Sequence, residues 1–181
     1  METPIRILGI AGSLRRGSYN RAALRAATEL APKGVTVETF ELGGIPPFDQ
    51  DEDWNPPAKV TELKKTNTLL FCLLRRNIIE GVLKNAIDWA SRPHGDSAWN
   101  GKPAAIMGAS TGAIGTARAQ NHLRQILVYL NMFPINQPEV LISHAVDRFD
   151  QEGNLTDVPT SEHIIGLLQN LVDWARRIGP K

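Results

Sequence analysis

Leu8-Gly9-Ile10-Ala11-Gly12-Ser13-Leu14-Arg15-Arg16-Gly17-Ser18-Tyr19-Asn20 contains the change of character that decides the fold. An apolar run over 5–11 stops at Gly12-Ser13, a polar loop carrying Gly17 follows, and an alanine-rich helical pattern begins near Asn20. Strand, small-residue loop, helix is how an α/β protein builds an anion site. The first N–H groups of a helix lack intrahelical partners, and the helix dipole adds positive potential at that end. Ser13 and Ser18 contribute hydroxyls, Asn20 an amide, Arg15 and Arg16 charge. This inventory suits a phosphate. A tight turn with two solvated arginines is the plainer account, and turn chemistry alone explains Gly12 and Gly17. It leaves unexplained why two serines, an asparagine and two arginines gather in one loop.

The loop is not a dinucleotide fingerprint, because Gly9, Gly12 and Gly17 do not fall in G-x-G-x-x-G spacing. Nor does a G-x-x-x-x-G-K-[ST] string occur anywhere in the chain. A monophosphate beyond the first strand is the better reading.

Working outward, strands and helices alternate. Strands are expected over 5–11, 35–40, 68–74, 103–108 and 136–142, from short apolar or β-branched runs. Helices are expected over 20–31, 59–66, 81–91, 115–130 and 161–178, from apolar residues at helical spacing and Pro or Gly stops. Gly, Pro and Asp crowd 43–57, which reads as loop, with Asp51-Glu52-Asp53 a solvated acidic stretch. Five strands alternating with helices predict an α/β fold, a parallel sheet with helices on both faces. The expected strand order is 2-1-3-4-5, that of flavodoxin-like proteins, and residues 1–181 read as one domain. In such sheets the ligand lies beyond the carboxyl ends of the strands. The loops at 12–20, 73–80 and 109–115 should therefore converge.

Composition narrows the class. With 181 residues, 42% hydrophobic and 22% charged, the chain suits a soluble globular protein rather than a disordered one. A net charge of +1 and the lack of a basic stripe argue against nucleic acid. Cys72 is the single cysteine, so no intramolecular disulfide forms, and no Cys/His spacing suits zinc. No apolar run approaches the ~20 residues of a membrane span. Met-Glu-Thr-Pro at the start does not resemble a signal peptide, so a cytoplasmic setting is expected.

Several segments together resemble the NADPH-dependent FMN reductase family of flavodoxin-like proteins, which includes quinone and chromate reductases. They are Gly12-Ser13-Leu14-Arg15 with Ser18 and Asn20, Ile45-Pro46-Pro47-Phe48, and Gly81-Val82-Leu83-Lys84-Asn85-Ala86-Ile87-Asp88-Trp89-Ala90-Ser91-Arg92-Pro93. Gly101-Lys102-Pro103-Ala104-Ala105, Ser110 with Gly112, and Ala119-Gln120 through His122-Leu123-Arg124 complete the set. The resemblance implies bound FMN, NADPH or NADH as co-substrate, a small-molecule electron acceptor, and a homodimer or homotetramer. On it, Ser13, Leu14, Arg15, Arg16, Gly17, Ser18, Tyr19 and Asn20 hold the FMN phosphate, and Ser110, Thr111 and Gly112 border the isoalloxazine. The implied reaction is ping-pong: NAD(P)H passes hydride to the flavin, and a quinone, flavin, azo, ferric or chromate oxidant then takes its place. The flavin does the redox chemistry, so no catalytic side chain is expected.

One segment departs from the family. Where relatives usually carry Thr-Pro-Glu-Tyr-Asn around the flavin ring, this chain reads Cys72-Leu73-Leu74-Arg75-Arg76-Asn77-Ile78-Ile79-Glu80. Arg75 and Arg76 are candidates to set positive charge near the ring. Two alternatives stay open: a flavodoxin-like electron carrier, and a relative whose FMN binding is weakened. Each lost hydrogen bond or ring contact at ~1 kcal/mol would lower affinity severalfold. Cys72 reads as a buried small hydrophobe, Trp89 as core or subunit interface, and His144 as an exposed loop residue. His122 and Arg124 on the fourth helix read as salt-bridging surface groups or, in preference, as interface groups.

Overall fold

The computed structural model describes residues 5–65, 69–73 and 78–179, with 69–73 described as backbone alone. In chain order the main elements are β1 (Ile5–Ala11), α1 (Tyr19–Glu29), β2 (Val35–Phe40), α2 (Ala58–Lys64), β3 (Leu69–Leu73) and α3 (Gly81–Ala90). They are followed by β4 (Pro103–Ala109), α4 (Ala117–Tyr129), β5 (Phe133–Pro134), β6 (Val140–Ile142) and α5 (Val158–Ile178). The sheet runs β2-β1-β3-β4-β5, with β6 also on β4, and each of these pairings is parallel. This is the expected 2-1-3-4-5 order.

Alternation along the strands divides the core into two layers. On β4, Ala105, Met107 and Ala109 join Ala23, Leu24 and Ala27 of α1 and Ile164, Leu168 and Leu171 of α5. Ala104 and Ile106 point the other way, toward Leu63 of α2, Leu83 and Ile87 of α3, and Leu123 and Leu127 of α4. Helices thus cover both faces, and β4 is buried along its whole length, as a parallel central strand must be. Gly9 lets α1 lie close on β1: a Cβ there would come within 2.3 Å of Leu24 Cδ1.

The fifth strand differs from expectation. Instead of one strand over 136–142, two short segments share the place: β5 pairs with Pro103 and Ala104, and β6 with Met107 to Ala109. Pro138 lies between them and has no N–H to give a ladder. Side chains satisfy the interrupted carbonyls. Arg124 Nη1 donates to Ile135 O at 3.0 Å, and Asn170 Nδ2 donates to Gln137 O at 3.0 Å. Arg124 therefore braces this break within its own chain. No helix of the described residues is long and apolar enough to cross a membrane.

Candidate functional site

The chain leaves β1 at Gly12, and Ser18 caps α1. Ser18 Oγ accepts the Asn20 N–H at 3.3 Å, and Ser18 N–H donates to Arg15 O at 3.2 Å. Ser13 Oγ accepts the Arg15 N–H at 3.3 Å. The helical ladder begins with Ala22 N–H donating to Ser18 O at 3.0 Å, so the amides of Tyr19 to Arg21 precede it. Ser13 and Ser18 are buried, whereas Leu14, Arg15, Arg16 and Gly17 are exposed. Each serine oxygen accepts an N–H, and among the described residues neither hydroxyl hydrogen is donated, so both remain for a ligand.

Beyond β4 a second turn is built in the same manner. Ser110 Oγ accepts the Gly112 N–H at 3.2 Å, Ser110 N–H donates to Ile142 O at 2.9 Å, and Ser110 O accepts the Ala145 N–H at 3.1 Å. Thr111 is exposed and Gly112 half-buried. Asn20 joins the two turns. Its Oδ1 accepts the Ala109 N–H at 2.8 Å and its Nδ2 donates to Ala109 O at 3.0 Å, with the residue fully buried. The sequence offers Asn20 as a ligand to phosphate; its amide is instead engaged at both ends with β4, because those are the strand's last backbone groups and need partners. Tyr19 likewise turns inward, its ring 5.5 Å from that of Phe149, so it offers the site its backbone.

The glycines need a different explanation from turn chemistry. Neither Gly12 nor Gly17 has a left-handed φ. At Gly12 the approach is close: a Cβ there would lie 2.4 Å from a Glu80 carboxyl oxygen, so a larger residue would have to displace that buried carboxylate. Glu80 is buried and immediately precedes α3, so this contact seats the start of α3 against the end of β1.

The donor set fits a phosphate monoester: two buried hydroxyls, the amides of a helix's first turn, and the two exposed guanidiniums of Arg15 and Arg16. Arg92 is not available to it. Its Nε and Nη2 meet Asp53 Oδ2 at 2.7 and 2.5 Å. Asp53 is only 4% exposed, which corrects the reading of 51–53 as a solvated acidic stretch; Asp51 and Glu52 alone are exposed. Arg75 and Arg76 lie outside the described residues, as does the side chain of Cys72.

Two features of the site are not apparent in sequence. His144 adopts a left-handed conformation (φ 47°), and its N–H donates to Gly112 O at 3.4 Å, bracing the turn after β4. Asn85 and Trp89 bond the backbone of Pro46 and Phe48. The joint occurrence of Ile45-Pro46-Pro47-Phe48 and the α3 string was the signal available for that contact.

Comparison with known proteins agrees with this architecture. The family model for NADPH-dependent FMN reductase matches residues 5–67 and 79–147, an interruption that falls where the sequence departs from the family pattern. An NAD(P)H-dependent FMN reductase of Pseudomonas aeruginosa is 48% identical over 184 residues, covering 98% of this chain and 99% of that protein. A 2-hydroxy-1,4-benzoquinone reductase of a Burkholderia species is 40% identical over 177 residues, covering 95% and 97%. Among solved structures, the NAD(P)H:(acceptor) oxidoreductase FerB of Paracoccus denitrificans superposes with a TM-score of 0.88 at 31% identity, covering 97% of this chain and 100% of that one. With a family model covering most of its length and relatives of this identity aligned nearly end to end, this chain belongs to the NADPH-dependent FMN reductase family.

Proposed function

We propose that the chain works as one FMN-binding domain that oxidises NAD(P)H and reduces small-molecule acceptors such as quinones. The observation that carries this reading is the Asn20–Ala109 bridge. It brings the donor-rich turn after β1 and the turn after β4 to one edge of the sheet. Ser13, Ser18 and, of the amides over 14–20, those of Leu14, Arg16, Gly17 and Tyr19 would hold the phosphate, with Arg15 and Arg16 supplying charge; the Arg15, Ser18 and Asn20 N–H groups shape the turn. Ser110, Thr111 and Gly112 would border the ring. FMN, when bound, supplies the hydride chemistry. The protein's share is to bind, orient and keep one face open. Purified protein should be yellow, and its flavin absorbance should bleach on adding NADPH. Colourless protein that takes up no added FMN overturns the reading. Stopped-flow mixing with NADPH separates an enzyme, which bleaches fast, from an electron carrier, which does not.

A second reading is favoured by the interruption of the family match at 68–78. Here the segment that departs from Thr-Pro-Glu-Tyr-Asn grips the flavin ring less well, and Arg75 and Arg76 supply charge in place of the family's contacts. Installing the family's string should then tighten FMN binding; unchanged affinity would show that this segment is not limiting.

The proposal includes a cytoplasmic setting, where NAD(P)H is supplied, and a homodimer or homotetramer. Support for assembly comes from Val128 and Tyr129 on α4, 74% and 89% exposed. Light scattering on the purified protein tests the oligomer.

A further inference from the structure

Asn85 and Trp89, at i and i+4, share one face of α3, and Arg92 follows just past the helix end. All three engage the segment 43–53, which the sequence presents as plain loop. Asn85 Oδ1 accepts the Phe48 N–H at 2.7 Å, and Asn85 Nδ2 donates to Pro46 O at 2.8 Å. Trp89 Nε1 donates to the same carbonyl at 2.9 Å, and Phe48 meets the Trp89 ring edge-on at 5.2 Å. Arg92 holds Asp53 farther along. At the other end, Lys59 Nζ donates to Gly43 O, and the pairing of Ile10 with Phe40 sets the residues leaving β1 and β2 side by side, with Gly43 near the exposed Leu14 side chain. The segment is therefore a strap running from α3 to the anion loop.

The residue types suit the task. Pro46 and Pro47 have no N–H, so the strap forms no ladder across them. Pro46 O and Phe48 N–H are the handles it presents to α3. Asparagine carries an acceptor and a donor side by side and takes both. The indole N–H fills the carbonyl's second lone pair.

We infer that Asn85 and Trp89 are positioning residues of the cofactor site: by pinning Pro46 and Phe48 they fix the strap beside the anion loop and so govern how fast FMN leaves. The inference rests on the FMN reading above. It is tested by the rate of FMN release from holoprotein, followed by the rise in flavin fluorescence on dilution. Asn85→Ala loses two hydrogen bonds and should release FMN about tenfold faster. Trp89→Phe keeps a ring against Phe48, loses one hydrogen bond, and should show about threefold. Leu171→Ala, a core substitution in α5 on the opposite face of the sheet, should lower Tm without changing release. Limited proteolysis should cut the strap faster in Asn85→Ala and not in Leu171→Ala.

Wild-type release rates in both α3 variants overturn the inference while the FMN reading stands. Equal acceleration by Leu171→Ala also overturns it, because general loosening would then suffice. A wild-type protein that takes up no FMN overturns the site reading and the inference with it.

Discussion

The anion loop and the strap lie side by side, and they reach their shapes by opposite routes. The turn over 13–20 is largely self-contained: Ser13 bonds Arg15, Ser18 bonds Asn20, and the contacts span two residues. The strap makes contacts spanning 37 to 43 residues, through Asn85, Trp89 and Arg92. A local turn folds wherever its residues occur. The strap has one local turn, in which Asp49 accepts the Asp51 N–H, but its course over Pro46 and Phe48 is fixed by residues of α3. The contrast teaches that chemistry-bearing residues need not be the ones that set a site's geometry.

Breaking the strap's far anchor should cost most. Arg92→Ala leaves Asp53 buried, with Oδ1 already without a partner among the described residues. It should destabilise the protein by about 3 kcal/mol in urea titration. A loss no greater than that of an ordinary surface substitution would mean the strap needs no anchor there.

Asn20 tests the long-range tie of the local turn, its two hydrogen bonds to Ala109. Asn20→Ala strands both backbone groups of Ala109 and should cost about 2 kcal/mol by denaturant unfolding, with FMN affinity falling alongside. If affinity falls while stability does not, Asn20 touches the ligand rather than β4.

Ser18→Ala removes a purely local contact. It should cost about 1 kcal/mol by thermal unfolding, the usual value of an N-cap. A loss as large as that of Asn20→Ala would erase the distinction between local and distant support.

Asp157 sharpens the same point, because its cap is charged. The Thr160 hydroxyl, then its amide and the Arg148 guanidinium, hold the Asp157 carboxyl below its ordinary range. A depressed folded value means that the stabilisation is complete above the unfolded pKa of about 3.9 and disappears as pH falls through the lower folded value. Asp157→Asn should therefore show a flatter loss of stability below about pH 4. Parallel acid curves for variant and wild type would show that the cap does not titrate within folding. The Ser18 cap, being neutral, should leave the acid curve unchanged.

How much of this was readable beforehand follows the range of the contacts. β1 and β2 sit at the expected residues, because burial on a parallel sheet imposes continuous apolar or β-branched runs. The fifth strand departs from the expected 136–142 because its two halves are held by β4, Arg124 and Asn170, contacts that leave no mark on the local pattern. Asp53 read as solvated because its neighbours Asp51 and Glu52 are; only Arg92 distinguishes it. Turn geometry does not account for Gly12, whose φ is not left-handed; the room a side chain would need there is taken by the buried Glu80 carboxylate.

From the sequence alone came the layer architecture, the order of elements and the donor-rich turn at the start of α1. Periodicity, caps and small residues act over a few positions and are written in consecutive letters. Tertiary structure decided that Asn20 faces Ala109, that Arg92 serves Asp53, and that α3 carries the strap beside Leu14. Those pairings depend on which elements the sheet sets side by side, and hydrogen-bond partners dozens of residues apart leave no periodic trace in either segment.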